Sequence, residues 1–271
     1  MHIQAVYRSM EERGLSSRTI RYTHAVLSNA LSEAVSLEVL FRNPASAVSL
    51  PRKVRKEMKA MTSEEVGRFL GAVSETRRAA VFTFALATNM RPQEYLALRW
   101  SDIDMQKKSA TVRRAIIWRQ EKGGGWHFGE PKTSGSRRTI PLPRSMVTAL
   151  AEHKRRQGEE RLKLGPNWQN YDLVFPTSVG TPTNISSLTN KWFKPALVKA
   201  ELPTTFRLYD LRHTHATMLL ADGESPKVVA ERLGNSTIVL TLNTYSHVLP
   251  DMQARAAERT EKALFAATAT L

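Results

Sequence analysis

The run Arg232-Leu233-Gly234-Asn235-Ser236-Thr237-Ile238-Val239-Leu240-Thr241-Leu242-Asn243-Thr244-Tyr245-Ser246-His247 decides how the rest of the chain is read. Ala230, Leu233, Ile238 and Leu242 recur at helical spacing on either side of Leu233-Gly234, so the stretch from Val228 to Tyr245 reads as two short helices joined by a glycine turn. By itself Tyr245 is an ordinary tyrosine packed near a helix end. Its neighbourhood makes it more, because two arginine motifs upstream are suited to holding a phosphate in front of a hydroxyl.

The nearer motif is Phe206-Arg207-Leu208-Tyr209-Asp210-Leu211-Arg212-His213-Thr214-His215-Ala216-Thr217. Tyr209 and Arg212 lie three apart and share a helix face, and Leu211, Met218 and Leu219 mark the side expected to be buried. His213 and His215 have no cysteine or carboxylate at zinc spacing beside them, so they are read as packing or phosphate-contacting groups rather than metal ligands. The farther motif is Asn89-Met90-Arg91-Pro92-Gln93-Glu94-Tyr95-Leu96-Ala97-Leu98-Arg99-Trp100. Pro92 suits a first helical turn, which puts Arg91 at a helix N-terminus where free N–H groups already favour an anion. Glu94 lies one turn on and can fix the orientation of Arg91, and Leu96 and Leu98 pack the segment down. Between the two motifs, Pro131-Lys132-Thr133-Ser134-Gly135 puts Lys132 at a hairpin tip, from which a flexible ammonium can deliver a proton.

Charge names the partner class. Against 25 Asp+Glu stand 40 Lys+Arg, a net charge of +15, which suits a protein that sits on a polyanion and makes nucleic acid the default partner. No apolar run approaches the roughly 20 residues of a membrane span, so no membrane is expected. Cysteine is absent, which excludes disulfides, thiolate nucleophiles and sulfur-ligated zinc. The start Met1-His2-Ile3-Gln4-Ala5-Val6-Tyr7-Arg8 has no apolar export segment, so a cytoplasmic location is expected.

A length of 271 residues suits one large or two ordinary domains. Ile20, Leu27, Leu31, Ala34 and Val35 recur at helical period between Ser16 and about Leu40, after a shorter helical stretch from Ile3 to Arg13 and before Asn43-Pro44, which stops a helix. This predicts a small helical domain over residues 1–48. A basic stretch follows in 49–61, carrying Arg52, Lys53, Arg55 and Lys56, and reads either as a solvated tether or as a linker that tracks a phosphate backbone. Thr62 and Glu65 form a capping box and Met61 and Val66 a hydrophobic staple, so a second domain opens with a helix at 62. After helical sequence through Ala79 to Ala87, the stretches Ala110–Trp118, Trp126–Phe128 and Arg138–Leu142 read as strands, turned at Gly123-Gly124-Gly125 and Ser134-Gly135-Ser136. Helical patterns then run from Ser145 to the end, broken near Gly165-Pro166 and Val174-Phe175-Pro176. The predicted class is mainly α with a small, three-stranded antiparallel sheet.

With all four places in this order, the chain resembles the tyrosine recombinases, the phage integrase family. Gly14-Leu15-Ser16-Ser17-Arg18-Thr19-Ile20 and Asn43-Pro44 match the family's core-DNA-binding domain, the sequence from 62 to 249 looks like its catalytic domain, and Tyr245-Ser246-His247-Val248 stands as it does in integrases of phages and integrative elements. The resemblance implies that Arg91 and Arg212 are the two catalytic arginines, Lys132 the hairpin lysine and general acid, and Tyr245 the nucleophile, with Tyr209 and Asn235 completing the phosphate cradle and Glu94, His213 and His247 in support. It further implies transesterification through a 3′-phosphotyrosyl bond without metal, nucleotide or other cofactor. The implied partners are double-stranded DNA with paired recombination sites, self-association on that DNA as a tetramer, and accessory DNA-bending factors. A helical tail over 250–271, with an apolar stripe of Met252, Ala256, Ala263, Leu264 and Ala267, is expected to dock on a neighbouring protomer.

The chain departs from the family pattern at two positions. Tyr209 stands where a histidine usually precedes the second arginine by three residues, and Asn235 stands where histidine or tryptophan usually follows Leu-Gly. Each keeps a hydrogen-bonding group but lacks an imidazole, so phosphate contacts are expected to survive with proton exchange reduced, and activity with it. The N-terminal part begins near the middle of the family's core-binding domain, as in a truncated or minimal member. Two other functions fit part of the pattern: a helix-turn-helix protein that binds DNA without cutting it, and strand cleavage of the type IB topoisomerase kind.

Overall fold

The computed structural model describes residues 3–53, 58–119, 125–131 and 137–245, together with 257, 258, 260, 261 and 264. The chain divides into two compact units, Met1–Glu57 and Met58–Leu271, so the change of unit falls within the basic stretch 49–61.

The first unit is built on α1 (Ile3–Glu12) and α2 (Ser17–Ser36), followed by a 3-10 turn at Pro44–Ala47. Ser16 caps α2 through the N–H of Thr19. Tyr7, Ile20 and Ala45 are the buried contacts, and the Tyr7 hydroxyl meets His24 Nδ1 at 3.2 Å. The apolar stripe Leu27, Leu31, Ala34 and Val35 lies on the partly covered face of α2. That helix stops at Ser36, four residues before the expected end, because Glu38 takes a left-handed conformation (φ 59°) and Val39 N–H closes back on Ala34 O. Asn43-Pro44 therefore opens the 3-10 turn rather than ending a helix; Asn43 caps Ala45 and donates to Ser28 O and Ser32 Oγ.

The second unit opens at α3 (Ser63–Val73), whose capping box is in place between Thr62 and Glu65. Next comes α4 (Ala79–Thr88), whose sequence Ala-Ala-Val-Phe-Thr-Phe-Ala-Leu-Ala-Thr has no polar face; such a helix is stable only at the centre of a domain, and nearly every side chain on it is buried. Phe82 packs against Phe69 and Phe193, and Phe84 against Phe175. A single turn, α5 (Pro92–Tyr95), leads to the strands β1 (Ile103–Asp104), β2 (Ser109–Val112), β3 (Ala115–Arg119), β4 (Gly125–Gly129) and β5 (Arg138–Pro141). Helices α6 (Arg144–Leu164), α7 (Ile185–Leu188), a π turn at Thr189–Phe193, α8 (Lys194–Lys199), α9 (Asp210–Ala221), α10 (Pro226–Leu233) and α11 (Ile238–Tyr245) follow.

The mainly α class with small antiparallel sheets holds, but the strands are arranged differently from the sequence reading. The expected strand Ala110–Trp118 is broken at Arg113-Arg114, where both side chains turn to the buried carboxylate of Asp102, Arg113 at 3.6 Å. Its first half, β2, lies between β1 and β5 in a three-stranded antiparallel sheet, and its second half, β3, forms a separate hairpin with β4. β1 was not anticipated; two residues are too few to show a period. The expected turns at 123–124 and 134–136 lie outside the described residues.

Candidate functional site

The site is organised by the end of α10. Gly234 takes a left-handed conformation (φ 64°), Gly234 N–H bonds Glu231 O at 2.9 Å and Asn235 N–H bonds Ala230 O at 3.0 Å, the paired closure that a glycine after a helix makes possible. That closure uses the carbonyls of Ala230 and Glu231 and leaves the next three pointing out of the helix at its negative end. Each of those three receives a guanidinium: Arg232 O from Arg138 Nε at 2.7 Å, Leu233 O from Arg212 Nη2 at 2.7 Å, and Gly234 O from Arg91 Nη2 at 3.4 Å. Three cations from α9, β5 and the start of α5 thus converge on one helix terminus, and the carbonyl dipoles offset part of their mutual repulsion.

Arg91 caps α5, and Pro92 occupies its first turn. The helix is one turn long and carries little dipole, so what holds Arg91 is Glu94. Glu94 Oε2 accepts the Arg91 backbone N–H at 2.9 Å, and Oε1 pairs with Arg91 Nη1 at 2.7 Å. Arg138 Nη2 reaches the same carboxylate at 2.9 Å. Burial alone would raise the Glu94 carboxyl, but Arg138, followed by Arg91, overrides burial and holds it below the ordinary carboxylate value. The Arg91 side chain keeps 27 % of its surface open while that of Arg138 keeps 9 %, so Arg91 is the arginine more open to an incoming anion.

Arg212 is buried, and its fork bridges the carbonyls of Leu233 and Asn89. Asn89 can present its carbonyl because it ends α4 in the left-handed region (φ 56°), which asparagine tolerates better than most residues. Burial lowers the Arg212 guanidinium to about 10, with the charges of Arg91 and Arg138 acting in the same direction, so it stays a cation near neutrality. Tyr209 precedes α9 by one residue and stands half exposed with its ring 5.9 Å from the Arg212 guanidinium carbon. Leu211 is on the buried side, as expected, whereas Met218 is exposed and Leu219 only partly covered, because the inward face of α9 is taken by Arg212, His213, Thr214 and Ala216.

Tyr245 closes α11 inside a small core of Ala216, Leu220, Val229 and Leu233. Its hydroxyl lies 2.8 Å from His213 Nδ1, and burial raises the phenol well above its ordinary value. Burial pushes His213 the other way, down to about 4, so the imidazole is neutral near pH 7 and shares one hydrogen bond with the phenol. Asn235 bridges the two halves of the site: its Nδ2 donates to Thr241 Oγ1 on α11 at 2.9 Å, and its Oδ1 faces Arg212 Nη2 at 3.5 Å.

Arg91, Glu94, Tyr209, Arg212, His213, Asn235 and Tyr245 are thus gathered around the ends of α9, α10 and α11. Lys132, His247, Arg55 and Lys56 lie outside the described residues, as do the tail positions Met252, Ala256, Ala263 and Ala267; Arg52, Lys53 and Leu264 are exposed. Sequence reasoning missed Arg138. Its signal was strand parity: Arg138, Ile140 and Leu142 alternate onto the covered side, whereas the adjacent Arg137 faces out to Glu130.

Residues 59–252 match the phage integrase family. The chain is 34% identical over 273 residues to a protein of Caldanaerobacter subterraneus subsp. tengcongensis described as "Tyrosine recombinase XerC-like", covering 95% of this chain and 69% of that one. It is 29% identical over 261 residues to the ICEBs1 integrase of Bacillus subtilis, again covering 95% and 69%. Among solved structures, the integrase of transposon Tn1549 in complex with transposon right end DNA superposes with a TM-score of 0.80 at 21% identity, covering 95% of this chain and 84% of that one. A lambda integrase dimer bound to a COC' core site superposes with a TM-score of 0.59 at 17% identity, covering 90% and 78%. The fold is therefore shared with DNA-bound integrases, and the sequence match over most of the chain places it in the phage integrase family of tyrosine recombinases.

Proposed function

We propose that this chain carries out site-specific DNA recombination with Tyr245 as the nucleophile and the Arg91–Arg212 pair as the phosphate clamp. The observation that carries the reading is the convergence of Arg91 and Arg212 on adjacent carbonyls of α10 while the residue next to Arg212 on α9, His213, holds the Tyr245 hydroxyl at 2.8 Å. A clamp and a nucleophile are thereby tied to the same two helices.

In the reaction the Tyr245 oxygen bonds to the scissile phosphorus as the bond from phosphorus to the 5′-oxygen breaks. The phenolic proton passes to water, and Lys132 delivers a proton to the departing 5′-oxygen. Arg91 and Arg212 carry the charge that grows on the non-bridging oxygens, and Tyr209 and Asn235 close the cradle around them. Strand exchange then reverses the step with the 5′-hydroxyl of another strand, and because the ester conserves the bond energy no nucleotide is consumed. Tyr245 is only 2 % exposed, so α11 has to lift the hydroxyl out of its pocket before it meets a phosphate.

The DNA would carry paired recombination sites, synapsed by four protomers, with accessory DNA-bending factors and with the 250–271 tail docking between neighbours. Residues 1–48 act as the core-DNA-binding domain and 62–249 as the catalytic domain. Arg52, Lys53, Arg55 and Lys56 in the stretch between them add affinity without sequence preference. Among the described residues no helix is long and apolar enough to cross a membrane, and a DNA substrate puts the enzyme's work in the cytoplasm. The decisive experiment offers the protein a nicked suicide substrate of a candidate attachment site. A denaturant-resistant protein–DNA adduct formed by the wild type and absent with Tyr245→Phe supports the reading; an adduct that persists with Tyr245→Phe removes Tyr245 from the role.

A further inference from the structure

Arg138 is more buried than Arg91, with 9 % of its side chain open against 27 %, and among the described residues it bonds two groups at the centre of the site. Its Nε bonds Arg232 O at 2.7 Å and its Nη2 bonds Glu94 Oε2 at 2.9 Å. Glu94 is 3 % exposed and uses both oxygens on Arg91, one on its backbone N–H and one on its guanidinium. Chain order and contact order therefore differ: β5 holds Glu94, Glu94 holds Arg91, and the same arginine pins the end of α10, whose next two carbonyls hold Arg212 and Arg91. A buried carboxylate with a single partner would be poorly oriented and partly protonated, and a second cation on the far side fixes both.

We propose that Arg138 is a positioning residue: by clamping the Glu94 carboxylate against the terminus of α10 it fixes the Arg91 guanidinium in the orientation that meets the scissile phosphate. The inference rests on the recombinase reading for what Arg91 does. It does not rest on that reading for how Arg91 is held.

The test uses the full chain with Arg138→Met and Arg138→Lys. Single-turnover adduct formation on the suicide substrate should fall on the order of 10- to 100-fold in Arg138→Met, the scale of a misplaced reacting group, while duplex affinity stays within about threefold. A pH profile separates positioning from mere packing. Among the described residues, the charges facing Glu94 are Arg91 beside it, Arg138 from β5 and Arg212 from α9. Without Arg138, burial prevails and Glu94 takes up a proton at higher pH, so Arg138→Met should gain an acidic limb in its cleavage profile that the wild type lacks. Arg138→Lys, which keeps the charge and one of the two bonds, should recover part of the rate and lose the added limb.

A third arm needs no cleavage. The Arg91 guanidinium N–H resonance, assigned with Arg91→Lys, should be protected in the wild type and exchange-broadened in Arg138→Met. Wild-type rate, profile and Arg91 resonance in Arg138→Met would overturn the proposal, as would equal losses of binding and cleavage, which mark a simple backbone contact. If the wild type itself forms no adduct, it is the recombinase reading that fails, and the Arg91 resonance still decides the role of Arg138. Should Arg138→Met not fold, Arg138→Lys decides through its Arg91 resonance and rate, and wild-type behaviour in both sinks the idea.

Discussion

The hydroxyl of Tyr245 and the Nδ1 of His213 lie 2.8 Å apart between two helices, and both side chains are buried. The pair joins the helix that carries Arg212 to the helix that ends in Tyr245, the proposed nucleophile. Breaking it from either side leaves a buried polar atom without its partner, which costs roughly 1–3 kcal/mol. Tyr245→Phe and His213→Leu should each destabilise the protein by about that much, and the double variant by less than the sum, with a coupling of about 0.5–3 kcal/mol. Urea unfolding of the four proteins gives the coupling directly. Strict additivity would mean the two groups do not share a hydrogen bond in solution.

Arg212→Lys should be nearly as damaging as Arg212→Ala. The guanidinium spans Asn89 O and Leu233 O with different nitrogens, and an ammonium cannot reach both while presenting a fork to a phosphate. Cleavage should drop on the order of 10²- to 10³-fold, the usual cost of one lost donor at a developing charge, with duplex affinity much less affected. Arg91→Ala should behave alike, because its carboxylate partner Glu94 would be left to Arg138 alone. Gel-shift affinities set beside single-turnover rates would decide; parallel losses in both make these residues ordinary backbone contacts.

What the sequence makes legible here is local. Thr62 and Glu65 announce a helix start, Leu233-Gly234 announces a helix end, and Arg91 and Glu94 lie close enough along the chain to find each other. What it hides is set by contacts between distant segments. The break at Arg113-Arg114 exists because Asp102, on the other side of β1, draws both arginines away from the ladder. Arg138 looks like its neighbour Arg137 until the strand has a covered side, and the three carbonyls that gather Arg138, Arg212 and Arg91 belong to the backbone, which composition does not display. The exposed Met218 shows the same limit in reverse: helical spacing allots it a buried face that the buried Arg212 and His213 have already taken.

Asn235→His is expected to keep or raise the cleavage rate. Asn235 donates to the buried Thr241 and faces Arg212 with its carbonyl oxygen, and a neutral imidazole can make both contacts with its two nitrogens. Asn235→Leu can make neither, and should lose both cleavage and about 1–3 kcal/mol of stability through the stranded Thr241 hydroxyl. Tyr209→His should act in the same direction as Asn235→His but more weakly, since the half-exposed phenol packs on Arg212 and His213 at ring distances an imidazole would lengthen. Single-turnover rates across pH would check this. A collapse in Asn235→His would show that the asparagine, bonded to both sides, is a fitted part of this site.

The protein should lose stability as pH falls from about 6.5 towards 4. Burial depresses both His213 and His215 to about 4; Arg212 and Arg207 add to the effect at His213 against the opposing charge of Asp210, and Arg232 adds to it at His215. With folded values below the unfolded one, the unfolded chain binds protons first on acidification, so the stabilisation is complete above the unfolded value and drains away as pH drops through the window. By pH 5 the loss should reach about 2 kcal/mol for each histidine. Urea midpoints at pH 7.5 and pH 5 would measure it, and His215→Gln, which leaves the Tyr245 contact alone, should remove its share of the difference, with the likewise depressed His153 still contributing. Equal midpoints at the two pH values would mean that both imidazoles titrate normally in the folded protein, and a charged His213 could only donate to Tyr245.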